Sequence, residues 1–141
     1  MPAMIEIRVA FADTDAMGIV HHSNYLRYFE VARVGWMRSK GHDYRDWQNK
    51  GMYMPLVESY CRYKRPARFE DLLEIRVKAK AEGVRAIFKY EVRNKETQEL
   101  LTEGSTTHVA VNRDMKLVEL PEEFKKVIQD RSRKHSAATR C

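Results

Sequence analysis

Polar and apolar residues alternate from Ile5 to Phe11. Ile5, Ile7, Val9 and Phe11 are the apolar set, with Glu6, Arg8 and Ala10 between them. A period of two predicts a strand with one buried face. Ala12 to His22 carries Asp, Thr, Asp and Gly and predicts a loop. The period then changes. From Ser23 to Lys40 the polar residues Arg27, Glu30 and Arg33 recur every three positions. Nearly all the rest are apolar or aromatic, among them Tyr25, Leu26, Tyr28, Phe29, Val31, Trp36 and Met37. A helix apolar over most of its circumference is surrounded by protein. Ser23 or Asn24 can cap its start and Gly41 its end. A short second helix follows at about Tyr44 to Lys50.

Strand patterns dominate the rest. Met52 to Arg65 reads as one strand, ended by Pro66. In Leu72 to Glu82, Leu73, Ile75, Val77, Ala79 and Ala81 face one way and Glu74, Arg76, Lys78, Lys80 and Glu82 the other. Gly83 marks a turn, and Ala86, Phe88, Tyr90 and Val92 repeat the pattern. Asn94 to Gln98 is a polar hairpin loop, Leu100 to Val111 a long strand, and Leu117 to Glu119 a short last strand. Pro121 opens a C-terminal helix. Consecutive strands joined by short turns are antiparallel neighbours. The class predicted is α+β: one antiparallel sheet wrapped around a long central helix.

At 141 residues the chain is one domain, drawn over residues 1–130, with 131–141 read as a flexible tail because it lacks apolar periodicity. Hydrophobic residues at 43% exclude general disorder. Lys plus Arg number 26 against 20 Asp plus Glu, a net charge of +6. The cations are scattered and no nucleic-acid recognition motif is present, so a phosphate-bearing small ligand is the anionic partner expected. Two cysteines, Cys61 and Cys141, exclude a disulfide framework and a CxxC pair. A free thiol suits a reducing cytoplasm, and no apolar run is long enough for a membrane span.

The chemistry concentrates in FADTDAMGIVHHSNYLRYFEVAR, Phe11 to Arg33. Asp13 and Asp15 follow the first strand, Gly18 permits a tight turn, and His21 and His22 stand just before the long helix. A helix start presents unpaired N–H groups and partial positive charge, which suit the oxyanion of an acyl-transfer intermediate. A carboxylate held a few residues earlier can attack a carbonyl or activate water. A thioester, with its good leaving group, asks least of such a site. Rival readings fail on spacing. D-x-D-x-x-G opens a calcium loop, but Met17 takes its fifth position and Asn24 the place of its bidentate Glu. His21 and His22 lack a third spaced metal ligand. There is no G-x-S-x-G elbow, no G-x-G-x-x-G and no Walker motif. Cys61 reads as a strand thiol rather than a nucleophile.

The run DTDAMGIVHHSNYLRYFEVAR resembles the signature of the 4-hydroxybenzoyl-CoA thioesterase family of hotdog-fold proteins, in its YbgC-like branch. The Tyr63–Lys64–Arg65–Pro66–Ala67–Arg68 corner and the Phe69–Glu70–Asp71 after it extend the likeness over nearly the whole chain. The resemblance implies a hotdog fold and hydrolysis of acyl-CoA without metal or other cofactor. It places the catalytic carboxylate on Asp15 and the backbone N–H that faces the thioester oxygen on His22. Asp13, Gly18 and Tyr25 fall on supporting positions of the pattern. At His21 the family usually has Tyr or Trp. The resemblance further implies a homotetramer of hotdog dimers, with active sites at the dimer interface. Arg62, Lys64, Arg65, Arg68, Arg85 and Arg93 are candidates for the phosphates of CoA. The competing readings are a non-catalytic acyl-binding or scaffold protein of the same fold, and a thioesterase acting on acyl carrier protein.

Overall fold

The computed structural model describes residues 4–128. Strand β1 spans Met4–Arg8 and a single 3-10 turn Phe11–Asp13. Helices α1 and α2 span Asn24–Ser39 and Tyr44–Asn49. Strands β2 to β5 span Leu56–Tyr63, Leu72–Glu82, Arg85–Asn94 and Leu100–Val109. Residues 122–128 are helical, with the Pro121 carbonyl accepting from the Phe124 and Lys125 amides. All strand pairs are antiparallel, in the order β1-β3-β4-β5-β2, so β1 and β2 are the sheet edges.

Alternation places the core. Leu73, Ile75 and Val77 of β3 and Ala86, Phe88, Tyr90 and Val92 of β4 are buried, as expected, while Lys78 and Lys89 face outward. Helix α1 lies across this apolar face. Phe29 stacks on Tyr90 with ring centroids 4.3 Å apart, and Trp36 meets Phe88 edge-on at 5.6 Å. The helix ends as predicted: Gly41 is left-handed (φ +79°) and the His42 amide bonds back to the Met37 carbonyl at 3.0 Å.

Four expectations need correction. Strand β1 stops at Arg8 because the chain turns at Phe11–Asp13; Phe11 is 74% exposed and packs edge-on against Phe69. The strand read from Met52 begins only at Leu56, because Pro55 lacks an N–H and interrupts the ladder; Tyr53 makes an isolated bridge to Val111. The last strand reduces to one bridge, Leu117 to Val111. Finally, one chain does not surround α1: Leu26 and Val31 are 41% and 43% exposed. Leu26 lines one cavity with Leu56 of β2, a strand on which Leu56, Val57, Tyr60 and Tyr63 are exposed. The predicted tail and Cys141 lie outside the described residues.

Candidate active site

The loop between the 3-10 turn and α1 is pinned at both ends. Thr14 bridges Val20, the Asp15 amide bonds to the Ile19 carbonyl at 2.9 Å, and the Gly18 amide to the Asp15 carbonyl at 2.9 Å. Gly18 closes this turn at φ +78°, where a side chain would be strained. The corner after β2 docks against the loop: the Val20 amide bonds to the Ala67 carbonyl at 2.8 Å, and Ile19 bridges Arg68. Lys64 and Arg65 both donate their amides to the Leu101 carbonyl, which fixes the corner to the sheet.

These segments enclose a cleft of about 320 Å³ at the start of α1, into which Asp15, His22, Tyr25, Tyr63, Lys64 and Arg65 face. One carboxylate oxygen of Asp15 accepts the Met17 amide at 2.8 Å, which orients the group; the other has no hydrogen bond among the described residues. The His22 N–H likewise has no acceptor among the described residues, although its neighbours are bonded. Asp15, with a free carboxylate oxygen, and His22, with a free helix-start N–H, thus line one cavity. The rings of Tyr25 and Tyr63 lie 5.5 Å apart, and Tyr63 meets His22 edge-on at 6.3 Å. Burial raises the Tyr25 phenol, and partial desolvation with the Cys61 thiol beside it raises the half-exposed Tyr63 to about 12, so at neutral pH each keeps its proton and is a donor. The Cys61 thiol is also pushed up by burial, which makes it a poor nucleophile.

The two aspartates have different jobs. Asp13 is buried and accepts from Arg27 Nη2 at 2.6 Å, the Tyr28 hydroxyl at 2.7 Å and the Ala10 amide at 3.3 Å. Its own carbonyl takes the His21 amide and the Asn24 side chain. Burial alone would raise its pKa, but Tyr28, the Ala10 N–H and Arg27 together outweigh that and lower it. Asp13 braces the loop onto α1. Asp13→Asn keeps the shape and removes the charge that three donors address. It should cost about 1.5–3 kcal/mol of stability, the usual worth of hydrogen bonds to a charged group, read as a lower urea midpoint.

His21 is exposed and its Nδ1 accepts from the Ser23 amide at 3.2 Å and pairs with the Ser23 hydroxyl at 2.8 Å. This imidazole sits at the helix start, where Ser23 or Asn24 is the expected cap; the Ser23 hydroxyl makes no such cap, and the Asn24 side chain donates to the Asp13 carbonyl instead. Of the CoA-phosphate candidates, Lys64 and Arg65 line the cleft, each also beside a glutamate at 3.5 Å. Arg68 sits on the docking corner. Arg62 and Arg93 point to the outer sheet face, and Arg93 is held by Glu91 at 3.6 Å and the Gln98 carbonyl at 3.0 Å. Arg85 stands at the far end of β4, beside the Gly83 turn. Sequence reasoning missed Tyr63 as a cleft residue and Arg27, Tyr28 and Asn24 as the partners of Asp13.

The model of the Thioesterase-like superfamily matches residues 9–128, and the chain belongs to that family. It is 30% identical to the acyl-CoA thioester hydrolase YbgC of Escherichia coli over 75% of this chain and 79% of that protein. Among solved structures, a 1,4-dihydroxy-2-naphthoyl-CoA thioesterase from Synechocystis superposes with a TM-score of 0.85 at 25% identity, covering 90% of this chain and 95% of that one. A hypothetical protein from Aquifex aeolicus gives 0.84 at 36% identity, covering 90% and 99%. The sheet and its central helix are the hotdog fold of these thioesterases.

Proposed function

We propose that this chain hydrolyses the thioester of an acyl-CoA to free acid and CoA, with Asp15 as the catalytic carboxylate and the His22 N–H as the oxyanion donor. The observation that carries this reading is that Asp15, with a free carboxylate oxygen, and His22, with a free N–H, line one cleft at a helix start. The thioester carbonyl lies between them. Attack on its carbon, by the carboxylate or by a water that gives its proton to the carboxylate, moves the carbonyl electrons onto oxygen. The N–H and the helix dipole stabilise that charge. The C–S bond then breaks and the thiolate takes up a proton. In the direct route, water afterwards splits the acyl–Asp15 anhydride and restores the carboxylate. Gly18 shapes the loop, and the Tyr25 hydroxyl is a further donor beside the reacting carbon.

Lys64 and Arg65 are placed to receive phosphates of CoA. A free thiol in Cys61 suits a cytoplasmic setting, and among the described residues no helix is long and apolar enough to cross a membrane. The screen that tests the function is release of free thiol from short, long and aromatic acyl-CoAs in the presence of a chelator. Turnover of at least one class is expected; CoA binding without turnover of any ester overturns the reading.

The same proposal includes a homo-oligomer, ultimately two hotdog dimers. An eight-residue edge strand with an exposed face and open hydrogen-bonding groups needs a partner, and the exposed Leu26 and Val31 of α1 need cover. Light scattering at micromolar concentration should give at least twice the 16.6 kDa chain mass. A monomer would contradict it.

A further inference from the structure

A second cavity, of about 300 Å³, lies along the flank of α1, lined by Leu26, Arg27, Glu30, Arg33, Leu56, Thr106 and His108, with Arg27 already paired to Asp13 at 2.6 Å. Its exposed mouth pairs the apolar Leu26 and Leu56 with the charged Arg27 and Glu30, and its buried floor is polar. The floor is a chain of hydrogen bonds whose direction is settled by its end. The Met54 carbonyl can only accept, so His108 Nδ1 donates to it at 3.2 Å and Nε2 accepts. The Thr106 hydroxyl therefore donates to Nε2 at 3.0 Å, and the Tyr90 hydroxyl donates to Thr106 at 2.7 Å. These protons are all engaged, and burial with the nearby Arg33 pushes His108 down to about 4, so it adds no charge.

Arg33 is different. Its side chain is 12% exposed and its Nε donates to the Tyr44 hydroxyl at 2.8 Å. The Tyr90 oxygen also sits against the guanidinium. A guanidinium carries five N–H donors, and the Tyr44 hydroxyl takes one of them. Glu30 comes no closer than 4.0 Å to Nη2, beyond a hydrogen bond, and its own side chain is exposed. No other carboxylate among the described residues pairs with Arg33. Buried charges are ordinarily paired, and a guanidinium's open edge fits a carboxylate in a two-bond fork. We infer that this groove receives the far-end carboxylate of the acyl group, so that the preferred substrates are CoA thioesters of dicarboxylic acids, the apolar body of the chain lying against Leu26 and Leu56. The inference rests on the thioesterase reading above and names its substrate class.

The route to the cleft follows from symmetry. The groove lies at the Leu56 end of β2 and the cleft at its Tyr63 end. Two copies joined through the same strand edge about a two-fold axis pair antiparallel, so the Tyr63 end of one meets the Leu56 end of the other. The cleft of one chain then opens toward the Arg33 groove of its partner.

The test compares mono-CoA thioesters of dicarboxylic acids of four to eight carbons with the plain acyl-CoA of equal length. At the best length, wild-type kcat/KM should favour the carboxylated ester at least tenfold, mainly through KM. In Arg33→Met the ratio should fall to about one, and Arg33→Lys, which keeps the charge without the fork, should lie between. Each ratio is internal to one variant, so partial loss of folded protein cancels. Calorimetric titration of the same pairs into Asp15→Asn reads binding without turnover. A tenfold tighter carboxylated ester, lost on adding Arg33→Met, supports the groove even where no ester is hydrolysed, an outcome that sinks the thioesterase reading alone. Equal or better use and binding of the plain chains at every length overturns the inference.

Discussion

Replacing Trp36 with Ala should lower the free energy of unfolding by about 3–5 kcal/mol, the range for removing a fully buried large aromatic. Trp36 sits in the last turn of α1 with 0% of its surface exposed and meets Phe88 edge-on at 5.6 Å. Its indole N–H has no partner among the described residues, so the side chain contributes through packing alone. Truncation leaves a cavity between the helix and β4 that neither element can collapse into without disturbing the Phe29–Tyr90 stack. The melting temperature should fall by on the order of 10 °C or more when variant and wild type are compared at one protein concentration. Trp36→Phe keeps a ring against Phe88 and removes the unpartnered N–H, so it should lose clearly less. An unchanged melting temperature for Trp36→Ala would mean that α1 is not the centre of the core.

The parts of the fold legible in the sequence are those where one period governs. Strand β3 matches its expected bounds, Leu72–Glu82, because apolar and charged residues alternate there without a break. Helix α1 is legible from its aromatic density and from Gly41. Strand β5 is legible as a strand but not by face: its inward positions are Thr102, Gly104, Thr106 and His108, which carry no apolar signal. Thr106 and His108 of that polar inner row, with Arg33, line the second groove, and no local pattern announces it. The missed exposure of Phe11 has the same origin, since alternation cannot show where a chain leaves a sheet. At the site, Asp15 and His22 are legible because loop and helix start are adjacent in sequence. The role of Asp13 is not, because Arg27 and Tyr28 reach it from fourteen and fifteen residues away. One side of α1 and the edge of β2 are exposed in one chain, and the oligomer proposed here would cover the helix as its sequence pattern predicts.

The central claim is that the Asp15 carboxylate performs the chemistry on a thioester whose oxygen faces the His22 N–H, and the kcat of Asp15→Asn tests it most directly. The substitution keeps the side chain's shape and its oxygen toward the Met17 amide, and removes the negative charge and the nucleophile. On the best acyl-CoA, kcat should fall by about 10²–10⁴, the scale for losing a positioned acid–base group. KM should change little, because Asp15 is not among the groups proposed to hold CoA. Asp15 is only partly buried and braces nothing beyond its own turn, so the melting temperature should stay at the wild-type value. Asp13→Asn, assayed well below its own melting temperature, should show the reverse: lower stability and a smaller loss of kcat. Near-full kcat in a folded Asp15→Asn protein would contradict the mechanism and move the search for the catalytic group to Asp13 or the His22 imidazole.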